Sequence, residues 1–236
     1  MSQSAMQEIT CPKCGKKHSF TVWDSINTME NPEMKEKVRN DEAFRYRCPD
    51  CGATSLLNYN FLYHQQEDKI LIFVDADGSS PKEMESILSR RGNAFDSYLK
   101  RIVLSYNEFK EKLLILDAGL DDRIVEIIKS SIWDNVDEKY KDKHIDEIYF
   151  ATNEDGEHGF LFRKEGKMIA SMEFDMSLYN AIKEAALARI DVLSHLWEME
   201  YLWLAPFWRG WLLTAGFPKI NRLSHGEVLA HSCESR

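Results

Sequence analysis

Four of the five cysteines fall in two copies of one pattern, Cys11-Pro-Lys-Cys14-Gly15 and Cys48-Pro-Asp-Cys51-Gly52. Two residues between thiols let both sulfurs turn toward one ion about 2.3 Å away. Proline after the first cysteine stiffens the turn, and glycine after the second lets backbone amides approach the sulfurs. Four soft thiolates suit tetrahedral zinc better than any hard cation. Two other chemistries use the same residues. A single Cys-Pro-x-Cys can be a redox dithiol at a helix start, and four cysteines can hold an iron–sulfur centre. The redox motif normally occurs once, and neither pair here opens an amphipathic helix. Cys11, Cys14, Cys48 and Cys51 are therefore predicted to hold one structural zinc. A site closed by four sulfurs has no position for water or substrate, so hydrolysis is not expected there. Zinc binding of this kind is worth about 10–16 kcal/mol in apparent terms, coupled to folding. A small sheet alone supplies only a few kcal/mol.

The two knuckles need a scaffold that turns them toward each other. Ser19-Phe-Thr-Val-Trp23 and Ala43-Phe-Arg-Tyr-Arg47 alternate polar and apolar residues, which predicts half-buried strands. Between them Asn31-Pro-Glu-Met-Lys-Glu-Lys-Val38 predicts a short helix, with Asn31 as N-cap and Pro32 as first helical residue. Lys69-Ile-Leu-Ile-Phe-Val74 is a compact apolar run that suits a buried strand. The 33 residues from Gly15 to Arg47 must hold a strand, the helix and a returning strand. Residues 7–74 are thus expected to form a zinc-ribbon-like β module with an inserted helix. Asp75-Ala-Asp-Gly-Ser-Ser-Pro81 collects turn formers and is the clearest linker.

An acidic region, residues 82–193, comes next. Ser105-Tyr-Asn-Glu108 is a capping box ahead of a helix through Leu116, with Gly119 as its stop. Asp121 can cap a second helix in which Ile124, Ile127, Ile128 and Ile132 share a face. Ile145 to Thr152, Gly159 to Arg163 and Met168 to Phe174 predict strands, with turns at Glu154-Asp-Gly156 and Lys164-Glu-Gly166, hence a three-stranded meander. Ser177 to Leu193 returns to helical spacing. Strands then helices without strict alternation predict an α+β fold, a strand-rich first module followed by helices and a small antiparallel sheet.

On these residues the chain resembles the CpXC-domain family, named for its paired Cys-Pro-x-Cys motifs. The resemblance runs from about Gln7 to about Trp133 and includes both knuckles, Trp23-Asp-Ser-Ile-Asn27 and Ala118-Gly-Leu-Asp-Asp122. It implies a metal-binding domain to which no activity is assigned. Cys11, Cys14, Cys48 and Cys51 carry over as ligands, and no catalytic residue does.

Other clusters are weaker. Lys13, Lys16, Lys17, His18, Arg45 and Arg47 flank the knuckles and could contact phosphate or an acidic partner. The preferred reading is a solvated rim, since Glu8, Asp24, Glu42 and Asp50 lie close in sequence. Phe20, Trp23, Phe44 and Tyr46 could stack bases, but their alternation assigns them to the core. His225 and His231 with Cys233 form no strong ligand set, and Asp121-Asp122 has an adequate role as a helix cap. There is no His pair at i, i+4, no phosphate loop and no nucleophile elbow. In the tail, residues 194–236, Trp197, Tyr201, Leu204, Trp208 and Trp211 fall at helical spacing, interrupted by Pro206. A packed helix is preferred there over a docking surface or a peripheral membrane face, and a spanning helix is not expected.

The 236 residues carry 30 Lys+Arg against 39 Asp+Glu, a net charge of −9. That balance argues against a dedicated nucleic-acid coat. The polar start, Met1 to Glu8, lacks the pattern of a secretory signal, and no window approaches the roughly 20 apolar residues of a membrane span. The expectation is a cytoplasmic, non-enzymatic zinc-binding module with a protein partner. The alternative is a nucleic-acid-associated regulator that uses the basic rim.

Overall fold

A computed structural model describes residues 2–78, 92–139 and 145–185. The chain divides into two compact units, Met1–Lys110 and Glu111–Arg236.

In the first unit, β1 (Gln3–Thr10) and β2 (Lys17–Asn27) form a long antiparallel hairpin running from Gln3 opposite Ser25 to Thr10 opposite Lys17. The short helix α1 (Glu33–Arg39) comes after it. A second hairpin joins β3 (Arg45–Arg47) to β4 (Thr54–Leu56). Then come β5 (Phe61–Gln65), β6 (Ile70–Val74) and β7 (Leu99–Val103). The main sheet has the order β1-β2-β5-β6-β7. Pairs β2/β5 and β6/β7 are parallel, and β5/β6 is antiparallel. Every residue of β6 is buried, as its apolar run predicts for a central strand covered on both faces. β7 comes after the turn-rich segment and joins the same sheet.

Two local expectations are corrected. The predicted strand over 43–47 is extended only at Arg45–Arg47, because Glu42–Phe44 make a single 3-10 turn. Ala43 and Phe44 are both buried, and a strand, whose side chains alternate, cannot bury two consecutive residues on one face. Asn31 is not the N-cap of α1. Pro32 holds that position, and the Asn31 side-chain amide instead donates to the Glu33 carboxylate at 3.2 Å.

Aromatic rings make the core of this unit. Phe44 packs against Phe61 at 4.6 Å and Tyr106 at 5.0 Å between ring centroids, and Phe61 meets Phe109 edge-on at 5.0 Å. Tyr106 and Phe109 belong to α2 (Tyr106–Asp117), which starts as its sequence predicts. Ser105 Oγ accepts the amide of Glu108 at 3.2 Å, and the Glu108 carboxylate reaches back to the amide of Leu104 at 2.7 Å, one residue earlier than the usual reciprocal bond. Phe44 is also the residue directly before β3, so its burial anchors the start of the second hairpin.

In the second unit α2 ends in a Schellman turn. Leu120 N–H donates to Ile115 O at 3.1 Å and Gly119 N–H to Leu116 O at 3.0 Å, with Gly119 at φ +68°. Asp121 then caps α3 (Asp122–Lys139), accepting the Arg123 amide at 3.0 Å. Ile124, Ile128 and Ile132 are buried on one face of α3, and Ile127 packs at its margin. Strands β8 (Glu147–Thr152), β9 (His158–Lys164) and β10 (Lys167–Glu173) form the expected antiparallel meander. Gly159 is required there, since a Cβ at that position would lie 2.7 Å from Met172 O. Helix α4 covers residues 176–185 and contributes Tyr179, whose hydroxyl accepts the Asp121 amide at 2.8 Å.

The second unit also buries charge. Lys129 bonds Glu111 at 2.8 Å and Lys112 bonds Glu126 at 2.7 Å, while Glu111 accepts the Phe150 amide at 2.6 Å. Among the described residues no helix is long and apolar enough to cross a membrane. The remainder of the predicted helix past residue 185 and the Trp-rich tail, with His225, His231 and Cys233, lie outside the described residues.

Candidate metal centre

Each cysteine knuckle is the turn of a hairpin, and the two turns repeat one another bond for bond. In the first, Cys11 N–H donates to Lys16 O at 2.8 Å and Gly15 N–H to Cys11 O at 2.9 Å. In the second, Cys48 N–H donates to Ala53 O at 2.8 Å and Gly52 N–H to Cys48 O at 2.9 Å. The flanking ladder pairs, Thr10 with Lys17 and Arg47 with Thr54, also correspond. Gly15 and Gly52 adopt φ of +71° and +68°. That left-handed step closes the turn without bending the thiols away, and a side chain there would be strained.

The four sulfurs converge. Cys11 Sγ lies 3.6 Å from Cys51 Sγ, and Cys14 Sγ lies 3.6 Å from Cys48 Sγ, so each close pair spans the two knuckles. All four Sγ atoms lie within 4.8 Å of one another. Sulfurs about 2.3 Å from a central ion at tetrahedral angles stand about 3.8 Å apart, which the cross-knuckle distances approach. A disulfide would need about 2.05 Å, and all four thiols are free. The donor set and its spacing therefore fit a soft, four-coordinate metal ion. The predicted ligands come together as one group.

Their protonation is unequal. The amide of Cys14 holds the Cys11 thiol below its ordinary range, helped by that of Lys13. At Cys48 burial opposes ionisation, but the amides of Cys51 and Asp50 outweigh it and bring the thiol down to about 6. The Lys16 amide favours a thiolate at Cys14, yet desolvation and the neighbouring sulfurs push that thiol up to about 12. Cys51 is raised too, against the pull of the Ala53 amide, by desolvation and the sulfurs of Cys48 and Cys11. Cys11 and Cys48 are thus eased toward the thiolate, while Cys14 and Cys51 are held toward the thiol by burial and the neighbouring sulfurs, a penalty a divalent cation would reverse.

Around the sulfurs, part of the basic rim is engaged by acids. Lys16 pairs with Asp50 at 2.7 Å, His18 Nε2 lies 2.8 Å from the other Asp50 oxygen, and Lys17 pairs with Glu8 at 2.7 Å. The Lys16 ammonium, with His18 beside it, holds the Asp50 carboxyl below its ordinary range. Asp50 thus links the two knuckles, since Lys16 and His18 belong to the first hairpin and Asp50 to the second. Its role was not legible in the sequence, where Asp50 is one of several nearby acids. Beneath the sulfurs a small apolar cluster of Cys11, Tyr46 and Cys48 is flanked by Ile9, Phe20 and Leu57. Phe20 meets Tyr46 edge-on at 6.0 Å. Tyr46 is core, as its alternation predicts, while Phe20 is half-buried at the margin of the cluster. Burial first, then the sulfur of Cys48, pushes the Tyr46 hydroxyl up to about 12.

An α+β chain whose two hairpin turns gather four cysteines is a protein with a sulfur cluster close enough to hold a metal ion. The CpXC protein family matches residues 9–129, more than half the chain and both knuckles, and the chain belongs to that family. No curated protein and no solved structure matches it.

Proposed function

We propose that the chain is a cytoplasmic protein-interaction module braced by one structural zinc ion held by Cys11, Cys14, Cys48 and Cys51. The observation that carries this reading is the convergence of four Sγ atoms within 4.8 Å. Four sulfur ligands favour zinc over harder ions and leave no corner open for water, so the ion serves architecture rather than hydrolysis. It ties the β3–β4 hairpin, with strands of only three residues each, to the longer β1–β2 hairpin. The free thiols accord with a reducing compartment. A brace of this kind presents a surface to a partner protein, and nothing in the closed site calls for a substrate.

The test is metal content per chain on the purified protein, together with thermal melting of Cys48→Ser. Close to one equivalent of zinc, and loss of cooperative melting in the variant, are expected. A metal-free parent that melts like the variant would overturn the reading.

A further inference from the structure

We propose that β1 is an open sheet edge that pairs antiparallel with β1 of a second copy of this chain, across a two-fold axis at Met6. The proposal rests on the interaction reading above and names its partner, but it draws on the strand edge alone and needs no metal. β1 is eight residues long, and every residue of it is exposed except the half-buried Ile9. Among the described residues it pairs with β2 alone and ends the sheet.

An exposed edge is a template for further pairing, and proteins blunt it with short strands, lysines, prolines or bulges. The opposite edge of the same sheet follows that rule, since β7 has five residues and carries Lys100. β1 does not. It contains no lysine and no proline, its bulge sits at the Gln3/Ser4 end, and its single charge, Glu8, is already bonded to Lys17 at 2.7 Å. Met6, near its centre, is the most exposed large hydrophobic residue among those described, at 66%.

The register follows from which backbone groups point outward. Trp23, opposite Ser4, donates its amide to the Tyr59 hydroxyl at 3.2 Å, away from β1, whereas Cys11 donates to Lys16 O at 2.8 Å, toward β2. Bonded and open pairs alternate along an antiparallel ladder. Ala5, Gln7 and Ile9 therefore exchange bonds with β2, and Ser4, Met6 and Glu8 turn their N–H and C=O groups to the open edge. Two such edges can bond only outward residue to outward residue. An axis at Met6 meets that demand, with Met6 opposite Met6 of the second copy and Ser4 opposite its Glu8. Two bonds form between the methionines and two at each Ser4–Glu8 pair.

The side chains favour the same register. Ser4, Met6 and Glu8 share a face, on which Thr21 Oγ1 donates to Met6 Sδ at 3.3 Å. On pairing, the two methionines cover each other at the axis and each Glu8 stands beside a serine. Four residues of extended chain keep the two Glu8 carboxylates about 14 Å apart. Parallel, in-register pairing would set Glu8 against Glu8, which is destabilising. Strand pairing covers less surface than a standard interface, so the dimer is weak and forms by mass action as the chain is concentrated.

The experiment is sedimentation velocity on the full chain over about a 100-fold range of concentration. It compares the parent, Met6→Lys, Met6→Pro and Ser4→Lys, with melting and metal content measured on the same samples. The parent is expected to shift from monomer toward dimer as concentration rises. Met6→Lys sets two ammonium groups against each other at the axis and abolishes the dimer. Met6→Pro removes only an outward N–H, so it melts like the parent and loses the dimer. Ser4→Lys places a cation beside Glu8 of the second copy at both symmetric pairs and tightens the dimer by about 2- to 30-fold. Should Met6→Pro melt lower, the two lysine variants, which keep every backbone donor, decide alone. A parent that stays monomeric, a dimer that Met6→Lys leaves intact, or a Ser4→Lys effect of the same sign as Met6→Lys would overturn the inference. A zinc-loaded monomer leaves the metal site standing without it, and a metal-free dimer that responds as expected supports the pairing and overturns only the brace.

Discussion

Loading one divalent ion at pH 7.5 is expected to release at least two protons from the chain. In the metal-free site Cys48 titrates at about 6, so it contributes a thiolate already. Cys14 sits at about 12 and Cys51 is also raised, so both still carry protons at pH 7.5. Metal-bound thiols are deprotonated, and the Cys14 and Cys51 protons must leave. Protons and the ion compete for the same sulfur lone pairs, so acid weakens binding and base strengthens it. Two protons released per ion make the affinity rise about 100-fold for each unit of pH. Below about pH 6 Cys48 takes up its proton as well, and the dependence steepens. Isothermal calorimetry in two buffers of different ionisation enthalpy counts the protons, and chelator competition between pH 6.5 and 8.5 gives the slope. A release below one proton, or an affinity flat with pH, would refute both the thiolate ligation and the inequality among the four thiols.

Phe44→Ala removes a ring that is fully buried against Phe61, Tyr106 and Phe109 and is expected to cost about 3–5 kcal/mol in denaturant unfolding, with metal affinity falling as β3 loses its anchor. Lys129→Met leaves Glu111 buried without its ammonium partner and should destabilise by about 3–5 kcal/mol at neutral pH. Burial raises the Glu111 carboxyl, so the loss shrinks as pH falls and that group takes up a proton; urea melts at pH 7 and pH 5 read the difference. Chelation is expected to speed hydrogen exchange at the amides of Cys48 and Gly52 while β5 and β6 keep their protection, and uniform loss across both sets would contradict a local brace.

The legible parts of the fold were those written in short-range chemistry. The Ser105 and Asp121 caps, the Gly119 stop and the isoleucine face of α3 each depend on residues within one or two turns, and all four stand where their spacing places them. The cysteine pairs belong with them, because the turn that aims two thiols at one point is complete within six residues. What composition could not show is pairing at a distance. The parallel contact of β2 with β5 joins Ser25 to Leu62, and nothing near either residue encodes the other. The failures at Ala43 and Asn31 have a common cause. A local pattern suggested a strand and a cap, but the demand to bury Phe44 beside Ala43 and the pull of the Glu33 carboxylate prevailed. Asp50 is legible only once the hairpins face each other, since its meaning lies in Lys16 and His18 across the site.

The two knuckles are alike in backbone yet unequal in support. The first closes a hairpin whose β2 strand continues into the main sheet, so its position is set by pairing through Ser25, Ile26 and Asn27 with β5. The second closes a ladder of three residue pairs that, among the described residues, forms a two-stranded sheet of its own. A two-stranded hairpin of that size is marginal by itself in water. It is secured at one end by Phe44 in the aromatic core and by the Leu57 amide donating to Phe44 O at 3.0 Å, and at the other by Asp50 and the sulfurs. The ion pairs at Asp50 are partly exposed and so worth little against solvent. A metal ion held by the four sulfurs would therefore supply most of the tie between the hairpins, together with the apolar cluster beneath them. The benefit of such an ion would fall on β3 and β4, and it is there, rather than in the five-stranded sheet, that its removal is expected to change the surface.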